Sequence, residues 1–195
     1  MGRNALMGPI IGLSGKSCSG KNYVGKHIAG KGFEVWDLDR KAEEIREEKR
    51  DEIIKAFGTE DRREIGKIVF SNPEKRKALE NIIYPELEKR IKDHDGILVI
   101  NGATIHRAGM DKLCSFLIYT DAPYEVRLFR AMMRDGVSAE EFKLRDQAQA
   151  DVDPKDNAYR CPVYIFDTSG NPDYSKLDEI TAEGLCRFCT SRPES

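Results

Sequence analysis

The sequence lacks three features that would each assign it to a special class: an excess of one charge, a long apolar run and a set of paired cysteines. Its 195 residues carry 32 Lys plus Arg and 34 Asp plus Glu, a formal net charge of -2. No overall basic excess therefore favours nucleic acid or an anionic membrane as a partner. The longest apolar runs, residues 97–100 and 116–119, are far shorter than the roughly 20 residues that span a bilayer. We predict no nucleic-acid partner and no membrane association.

The five cysteines, Cys18, Cys114, Cys161, Cys186 and Cys189, are odd in number and irregularly spaced, which argues against a disulfide framework. Cys186 and Cys189 form a C-x-x-C pair, but a closed zinc site needs two more thiols or imidazoles, and none stands at ligand spacing nearby. We therefore expect two helix residues here and no metal. The opening residues, MGRNALMGP, lack the apolar stretch of a secretory signal, so we expect a cytoplasmic protein.

Short apolar runs alternate along the chain with stretches of helical length. We predict strands at residues 9–14, 33–39, 96–101, 115–120 and 162–168, mostly buried on both faces, and helices at residues 21–29, 41–57, 72–93, 123–135, from 138 onward, and 173–189. Pro73 suits a first helical turn, and the SAEE segment from Ser138 has a capping-box pattern. Strands that alternate with helices predict an α/β fold with a parallel sheet covered on both faces. The length fits one domain, residues 1–195.

The stretch GKSCSGKN, residues 15–22, has the form G-x-x-x-x-G-K-[ST] of a phosphate-binding loop, except that Asn22 replaces the last hydroxyl. It follows a predicted strand and opens a predicted helix, which is the context that its mechanism requires. Gly15 and Gly20 let backbone N–H groups turn toward phosphates, the helix N-terminus adds positive potential, and the Lys21 ammonium reaches the β/γ oxygens. The alternative interpretation is a tight turn with a surface lysine. Since magnesium keeps several waters, the Asn22 carboxamide oxygen is a candidate metal ligand, directly or through water.

Two carboxylates, Asp37 and Asp39, end the second predicted strand in the segment WDLD. Ligands of open α/β sheets bind at the carboxyl ends of strands, and strand alternation predicts both carboxylates on one side. Such a pair suits coordination of metal-bound water and acceptance of a proton from an attacking hydroxyl. The alternative is a helix N-cap at Asp39 with a solvated Asp37.

Five segments, in order, resemble the dephospho-CoA kinase family: IIGLSGKSCSGK, VWDLD, DRREIGKIVFSNPEKRKALENIIYPEL, RLFRAMMRDGVSAEEFKLRDQAQ and YIFDTSG. The resemblance covers roughly residues 9–183. It implies a P-loop NTPase-type α/β/α fold with a parallel five-stranded core, a helical CoA-side region at about residues 41–93 and an arginine-bearing lid at about residues 130–160. The implied reaction uses ATP with Mg²⁺ and moves the γ-phosphoryl group to the ribose 3′-hydroxyl of dephospho-CoA. We favour a monomer.

The resemblance also implies roles for individual residues. Lys21, Asp37, Asp39 and Arg134 are expected to be catalytic, with Asp39 preferred as the base near the 3′-hydroxyl. Lid arginines would neutralise charge on the transferring phosphoryl group, although Arg127, Arg130 and Arg134 could equally form a solvated helix face. The lid positions that match are Arg130, Arg134, Arg145 and Lys155. The residues expected to bind ATP are Gly15, Lys16, Ser17, Cys18, Ser19, Gly20, Lys21, Asn22, Tyr23, Arg130 and Arg134, and those expected to bind the acceptor are Asp39, Arg63, Tyr84, His106 and Arg145.

Several positions depart from the family pattern, and most of them concern the acceptor side. Tyr84 stands before a proline where the family has histidine, Gly102 and His106 replace a proline and a glutamate, and Thr168 stands where asparagine is preferred. His106 is either a ligand or acid/base group of the cleft or a polar loop residue. Two further interpretations therefore stay open: a P-loop kinase for another small hydroxylated acceptor, and a nucleotide-binding protein with little transfer activity.

Overall fold

The protein, described here from a computed structural model that covers residues 8–190, contains a five-stranded sheet. The strands are β1 Ile10–Ser14, β2 Glu34–Asp37, β3 Leu98–Asn101, β4 Phe116–Asp121 and β5 Val163–Asp167. Their order is β2-β3-β1-β4-β5, and β1 lies parallel to both β3 and β4, with Ile11 opposite Val99 and Phe116. The predicted α/β fold with a parallel sheet of five strands is confirmed.

Helices connect the strands. They are α1 Lys21–Gly30, α2 Leu38–Glu48, α3 Arg50–Phe57, α4 Arg62–Ser71, α5 Pro73–Lys92, α6 Tyr124–Asp135, α7 Ala139–Gln147 and α8 Tyr174–Thr190, and single 3₁₀ turns lie at Met110–Leu113 and Ala150–Val152. The predicted capping box at the start of α7 is present, with Ser138 and Glu141 bonded reciprocally. Within residues 8–190, no helix is both long enough and apolar enough to cross a membrane.

The core lies around the central strands. Every residue of β1 and β3 is buried, as are all but the last residue of β4. Ile11, Val99 and Phe116 pack there with side chains from α1 and α8. The edge strands differ, because β2 contains only half-buried and exposed residues and β5 contains one buried residue, Phe166. The prediction that the strands are mostly buried on both faces is therefore correct for the centre of the sheet and wrong for its edges, which have a neighbour on one side only.

The second strand ends two residues earlier than predicted. β2 stops at Asp37, whose carboxylate accepts hydrogen bonds from the backbone N–H groups of Asp39 and Arg40, at 3.0 and 3.1 Å. Asp37 is therefore the N-cap of α2, and Asp39 lies in the first helical turn rather than on the strand. The predicted placement of both carboxylates on one side of a strand is wrong, because an N-cap carboxylate bonded to two orphan amides starts the helix at Leu38.

Residues 37–94 form a compact helical unit, while the described parts of residues 1–36 and 95–195 form the other. The single helix predicted at residues 41–57 is wrong: it is two helices, α2 and α3, which meet at Lys49. The sequence pattern gives no separate helix at α4, although the resemblance implies a helical region over about residues 41–93; α4 begins after the N-cap Asp61. The prediction for α5 is confirmed, with Asn72 as its cap and Pro73 in its first turn.

Candidate active site

The loop from Gly15 to Gly20 joins β1 to α1 and wraps tightly against β4. Gly15 has φ 148°, and a Cβ atom there would lie 2.3 Å from Thr120 Oγ1 and 2.5 Å from the Thr120 carbonyl oxygen. Only glycine fits so close an approach. Gly20 has φ 93° and precedes the first residue of α1. The loop thus ends at a helix N-terminus, whose backbone N–H groups form a ready anion site.

Buried hydroxyl groups hold the loop in place through hydrogen bonds. Ser19 is buried, and its Oγ lies 2.6 Å from Thr120 Oγ1. Thr168, also buried, donates its hydroxyl to the Ser19 carbonyl oxygen at 2.6 Å. Thr168 therefore holds the phosphate loop, although its position departs from the asparagine that the family prefers.

The Lys21 ammonium folds back over the loop. It donates to the carbonyl oxygens of Gly15 at 2.6 Å and Lys16 at 3.0 Å. The charge is therefore held above the first residues of the loop, where a phosphate oxygen can exchange for a carbonyl oxygen. This position fits the predicted role of Lys21 at the β/γ end of a nucleotide.

Cys18 is the loop residue that links the phosphate site to the helices of the predicted lid. Its φ is 60°, and it is the one residue other than glycine with a positive φ among the described residues. The left-handed conformation costs a side chain roughly 1–2 kcal/mol. Cys18 is buried against Ala131 of α6 and Phe142 of α7, which offsets that cost.

The three arginines of α6 differ in their exposure and in the groups that they bind. Arg127 is only 5 % exposed and binds Asp146 of α7 at 2.5 Å and the Ala122 carbonyl oxygen at 3.0 Å. Arg130 donates to the carbonyl oxygens of Cys18 and Thr168, so it lies directly against the phosphate loop. Arg134 is exposed and pairs with Asp135. The alternative of a solvated helix face is therefore wrong for Arg127 and Arg130.

Asp135 forms ion pairs with two of the predicted lid residues. Its carboxylate accepts from Arg134 at 2.7 Å and from Arg145 at 2.9 Å, and these guanidinium groups hold the pKa of Asp135 well below its usual range. Both arginines are more than a third exposed. The structure thus brings Arg130 to the loop, while Arg134 and Arg145 are held together at the end of α6.

Asn22 and Asn101 meet beside the loop. The Asn101 amide nitrogen donates to Asn22 Oδ1 at 3.2 Å. Asn101 is buried at the end of β3, and its own Oδ1 is buried without a hydrogen-bond partner among the described residues. Sequence reasoning missed Asn101. The available signal was a polar residue at the carboxyl end of a strand that is otherwise apolar.

His106 lies in the loop after β3 and is engaged by the lid segment. Its Nε2 is 2.9 Å from Asp151 Oδ2, and Arg107 also binds Asp151. The pKa of Asp151 is held well below its usual range, first by Arg107 and then by His106. The Nδ1 atom of His106 is buried and has no partner within the described part of the chain.

A further residue that sequence reasoning missed is Gln149, just after α7. The Ser17 backbone N–H donates to Gln149 Oε1 at 2.6 Å. No local pattern predicts this bond, because the two residues are 132 positions apart.

The remaining predicted residues are placed as follows. Asp39 and Arg63 are exposed in the first turns of α2 and α4, and Tyr84 is half-buried in α5. Tyr23 is 72 % exposed on α1, and Lys155 is exposed in a turn after the 3₁₀ turn at Ala150–Val152. Cys186 and Cys189 are exposed on α8, as the prediction of helix residues requires.

Comparison with known proteins decides the family. A family model described as dephospho-CoA kinase matches residues 9–160. This chain belongs to the dephospho-CoA kinase family. The family and the activity class predicted from the sequence, an ATP-dependent kinase, are confirmed.

Individual members of the dephospho-CoA kinase family resemble this chain over most of its length. The dephospho-CoA kinase of Fusobacterium nucleatum is 36 % identical over 195 aligned residues, covering 92 % of this chain and 96 % of that protein. The dephospho-CoA kinase of Thermus thermophilus is 30 % identical and covers 88 % of both chains. A crystal structure of a Thermus thermophilus protein superposes with a TM-score of 0.77 at 29 % identity, covering 93 % of this chain and 98 % of that one.

Proposed function

We propose that this protein transfers the γ-phosphoryl group of ATP to the ribose 3′-hydroxyl of dephospho-CoA, giving CoA and ADP. The family match over residues 9–160 supports this acceptor. The observation that carries the donor side is the loop itself, in which Lys21 and Arg130 both bind loop carbonyl oxygens. The reaction is the one predicted from the sequence, and the relatives support it.

In this reaction the protein mainly positions the nucleotide and provides positive charge around its phosphates. The N-terminus of α1 and the loop N–H groups receive phosphate oxygens. Lys21 and Arg130 stand at the loop, so both can neutralise charge that spreads over the transferring phosphoryl group. Phosphoryl transfer needs little covalent help from a protein, because positioning and charge stabilisation account for most of its catalysis.

Asp39 is the carboxylate that we propose as the base for the acceptor hydroxyl. Asp37 is less suited, because its Oδ1 atom already accepts two backbone N–H groups as the cap of α2. Those bonds occupy that oxygen atom and commit the carboxylate to the start of the helix. Asp39 is exposed in the first turn of α2.

Magnesium neutralises phosphate charge and orients the nucleotide when it is bound. The residues at the loop fit such an ion, because the buried Asn101 Oδ1 lacks a partner in the described chain and lies in the amide that binds Asn22. Carbonyl oxygens of amides are hard ligands of the type that magnesium accepts, together with several waters. We propose that Asn22 and Asn101 hold the metal, directly or through water.

For the acceptor we propose contacts from Arg63, Tyr84 and Arg145. The bonds of His106 support a different role, because its Nε2 is committed to Asp151 and its Nδ1 is buried. We therefore propose that His106 holds the lid segment. A monomer in the cytoplasm without nucleic-acid or membrane partners stays our prediction.

A coupled assay of ADP release tests the proposal, with purified protein, ATP, magnesium and dephospho-CoA. We expect turnover that depends on dephospho-CoA and that Lys21→Ala and Asp39→Asn each abolish. No turnover across a wide range of acceptor concentrations would overturn the proposal. Calorimetry with ATP then separates the alternatives: binding without turnover indicates another acceptor or a nucleotide-binding protein.

A titration with magnesium tests the metal site independently of turnover. Asn101→Leu removes the buried oxygen, and we expect the variant to need a higher magnesium concentration for half-maximal ATP binding in calorimetry. ADP binding without magnesium should be unaffected. An unchanged magnesium requirement would show that Asn101 does not contribute to the metal site.

A further inference from the structure

Gln149 is bonded to the phosphate loop, yet none of the roles described above uses it. Its Oε1 accepts the Ser17 backbone N–H at 2.6 Å. A backbone N–H is a donor only, so the amide oxygen must face Ser17 and the amide nitrogen must be at the other position. Within residues 8–190, Gln149 Nε2 donates to no protein atom. A half-buried amide donor therefore stands beside the loop without a protein partner.

The contact lies at the end of the loop where a terminal phosphate is expected. The Lys21 ammonium, which reaches the β/γ oxygens of a nucleotide, binds the carbonyl oxygens of Gly15 and Lys16. Ser17 follows these residues directly. The Gln149 amide is therefore close to the part of the loop that Lys21 marks as its β/γ end.

Neighbouring bonds hold Gln149 in place from both sides along the chain. Asp146 binds the buried Arg127 at 2.5 Å. The Ala148 carbonyl oxygen accepts from Arg107 at 2.6 Å, and Asp151 binds His106 at 2.9 Å. These three bonds, within six residues, restrict the backbone on either side of Gln149. Its amide is therefore held near the loop before a nucleotide binds.

We propose that Gln149 Nε2 donates a hydrogen bond to the terminal phosphate of a bound nucleoside triphosphate and so favours ATP over ADP. The inference rests on the proposed function, because it requires nucleotide in the loop. The role is one of binding, in which Oε1 keeps the amide oriented and Nε2 recognises an oxygen that ADP does not place there. Hydrogen bonds to charged groups are stronger than neutral ones.

Gln149→Glu is the diagnostic change. The glutamate keeps an oxygen for the Ser17 N–H, so the loop contact and the melting temperature should be retained. It loses the donor and brings negative charge toward the phosphate, so ATP affinity should fall roughly tenfold or more while ADP affinity changes little. Gln147→Glu, an exposed position at the end of α7, adds the same charge away from this contact and should leave both affinities unchanged.

Calorimetric titration of the wild type and both variants with ATP and with ADP, each with magnesium and without acceptor, gives the result. A fall in the ratio of ATP to ADP affinity in Gln149→Glu alone supports the inference. An unchanged ratio, or an equal fall for both nucleotides, overturns it. If the wild type binds neither nucleotide, the proposed function itself fails. Should Gln149→Glu melt at a lower temperature, Gln149→Met, which is uncharged and lacks the donor, decides by the same ratio.

Discussion

Replacing Arg127 with methionine tests the claim that one buried ion pair, between Arg127 and Asp146, helps to hold α6 against α7. Arg127 is 5 % exposed and binds Asp146, the Ala122 carbonyl oxygen and, at 3.5 Å, the Ser17 carbonyl oxygen. Arg127→Met keeps most of the apolar volume and removes these bonds. The Asp146 carboxylate, whose side chain is 20 % exposed, then loses its counter-charge.

Breaking a buried ion pair by removing one partner costs about 3–5 kcal/mol. Because Asp146 retains some contact with solvent, we expect the lower end of that range, about 3 kcal/mol. For a protein of this size the melting temperature should fall by about 6–12 °C. Lys143→Met, an exposed position on α7, is the matched control and should leave the unfolding free energy unchanged.

Urea unfolding followed by circular dichroism and by fluorescence gives the free energy, and coincident transitions validate its use. The Asp146→Asn change and the double variant complete a cycle, in which the coupling between the two sites should be at least about 1 kcal/mol. If Arg127→Met behaves like Lys143→Met, or if the two sites prove additive, then the buried pair does not hold these helices and the reasoning is refuted.

Other outcomes follow from the same contacts. Gly15→Ala should abolish ATP binding, since its Cβ would lie 2.3 Å from a β4 hydroxyl oxygen, whereas Gly30→Ala, with open space around it, should bind normally in calorimetry. Arg107→Met should raise the pKa of Asp151, which is now held low. The wild type should therefore be more stable than this variant at pH 7, and the difference should begin to shrink as the pH falls below about 4 and disappear only below the lowered pKa of Asp151; parallel pH profiles would contradict this. Burial raises the pKa of Tyr159 to about 12. The wild type should therefore lose stability relative to Tyr159→Phe as the pH rises from about 10 toward 12, and a difference in unfolding free energy that stays constant over this range in urea titrations would rule this out.

The features predictable from the sequence are those that depend on neighbours along the chain. The phosphate loop, the proline that begins α5 and the capping box of α7 each follow from a short pattern with a local physical cause. The central strands were predictable for a similar reason, because continuous apolar runs indicate burial on both faces.

The errors at the second strand and in the helical unit are also local, but there two signals competed. The predicted alternatives were a strand through Asp39 and a helix cap at Asp39, but two backbone bonds make Asp37 the cap. The segment before α4 reads as charged loop, yet Asp61 caps a helix in the same way, with bonds from Arg63 and Glu64. In both places a carboxylate before a charged stretch starts a helix.

The residues that sequence reasoning missed at the site share a different cause. Asn101, Arg127 and Gln149 each act through a partner that lies 19 to 132 positions away in the chain. Periodicity placed Arg127 on a helix face but could not show that the face is covered by α7. Long-range polar bonds depend on the packed fold, so they become visible only when the fold is known.

The central claim is the identity of the phosphorylated product, and its direct test is analysis of the reaction mixture by mass spectrometry and ³¹P NMR. The account predicts that dephospho-CoA gains one phosphoryl group as a monoester at the ribose 3′ position, with one ADP formed per CoA, and that Lys21→Ala yields neither. ADP without a phosphorylated acceptor, or an acceptor that stays unchanged while ATP is bound, would contradict it.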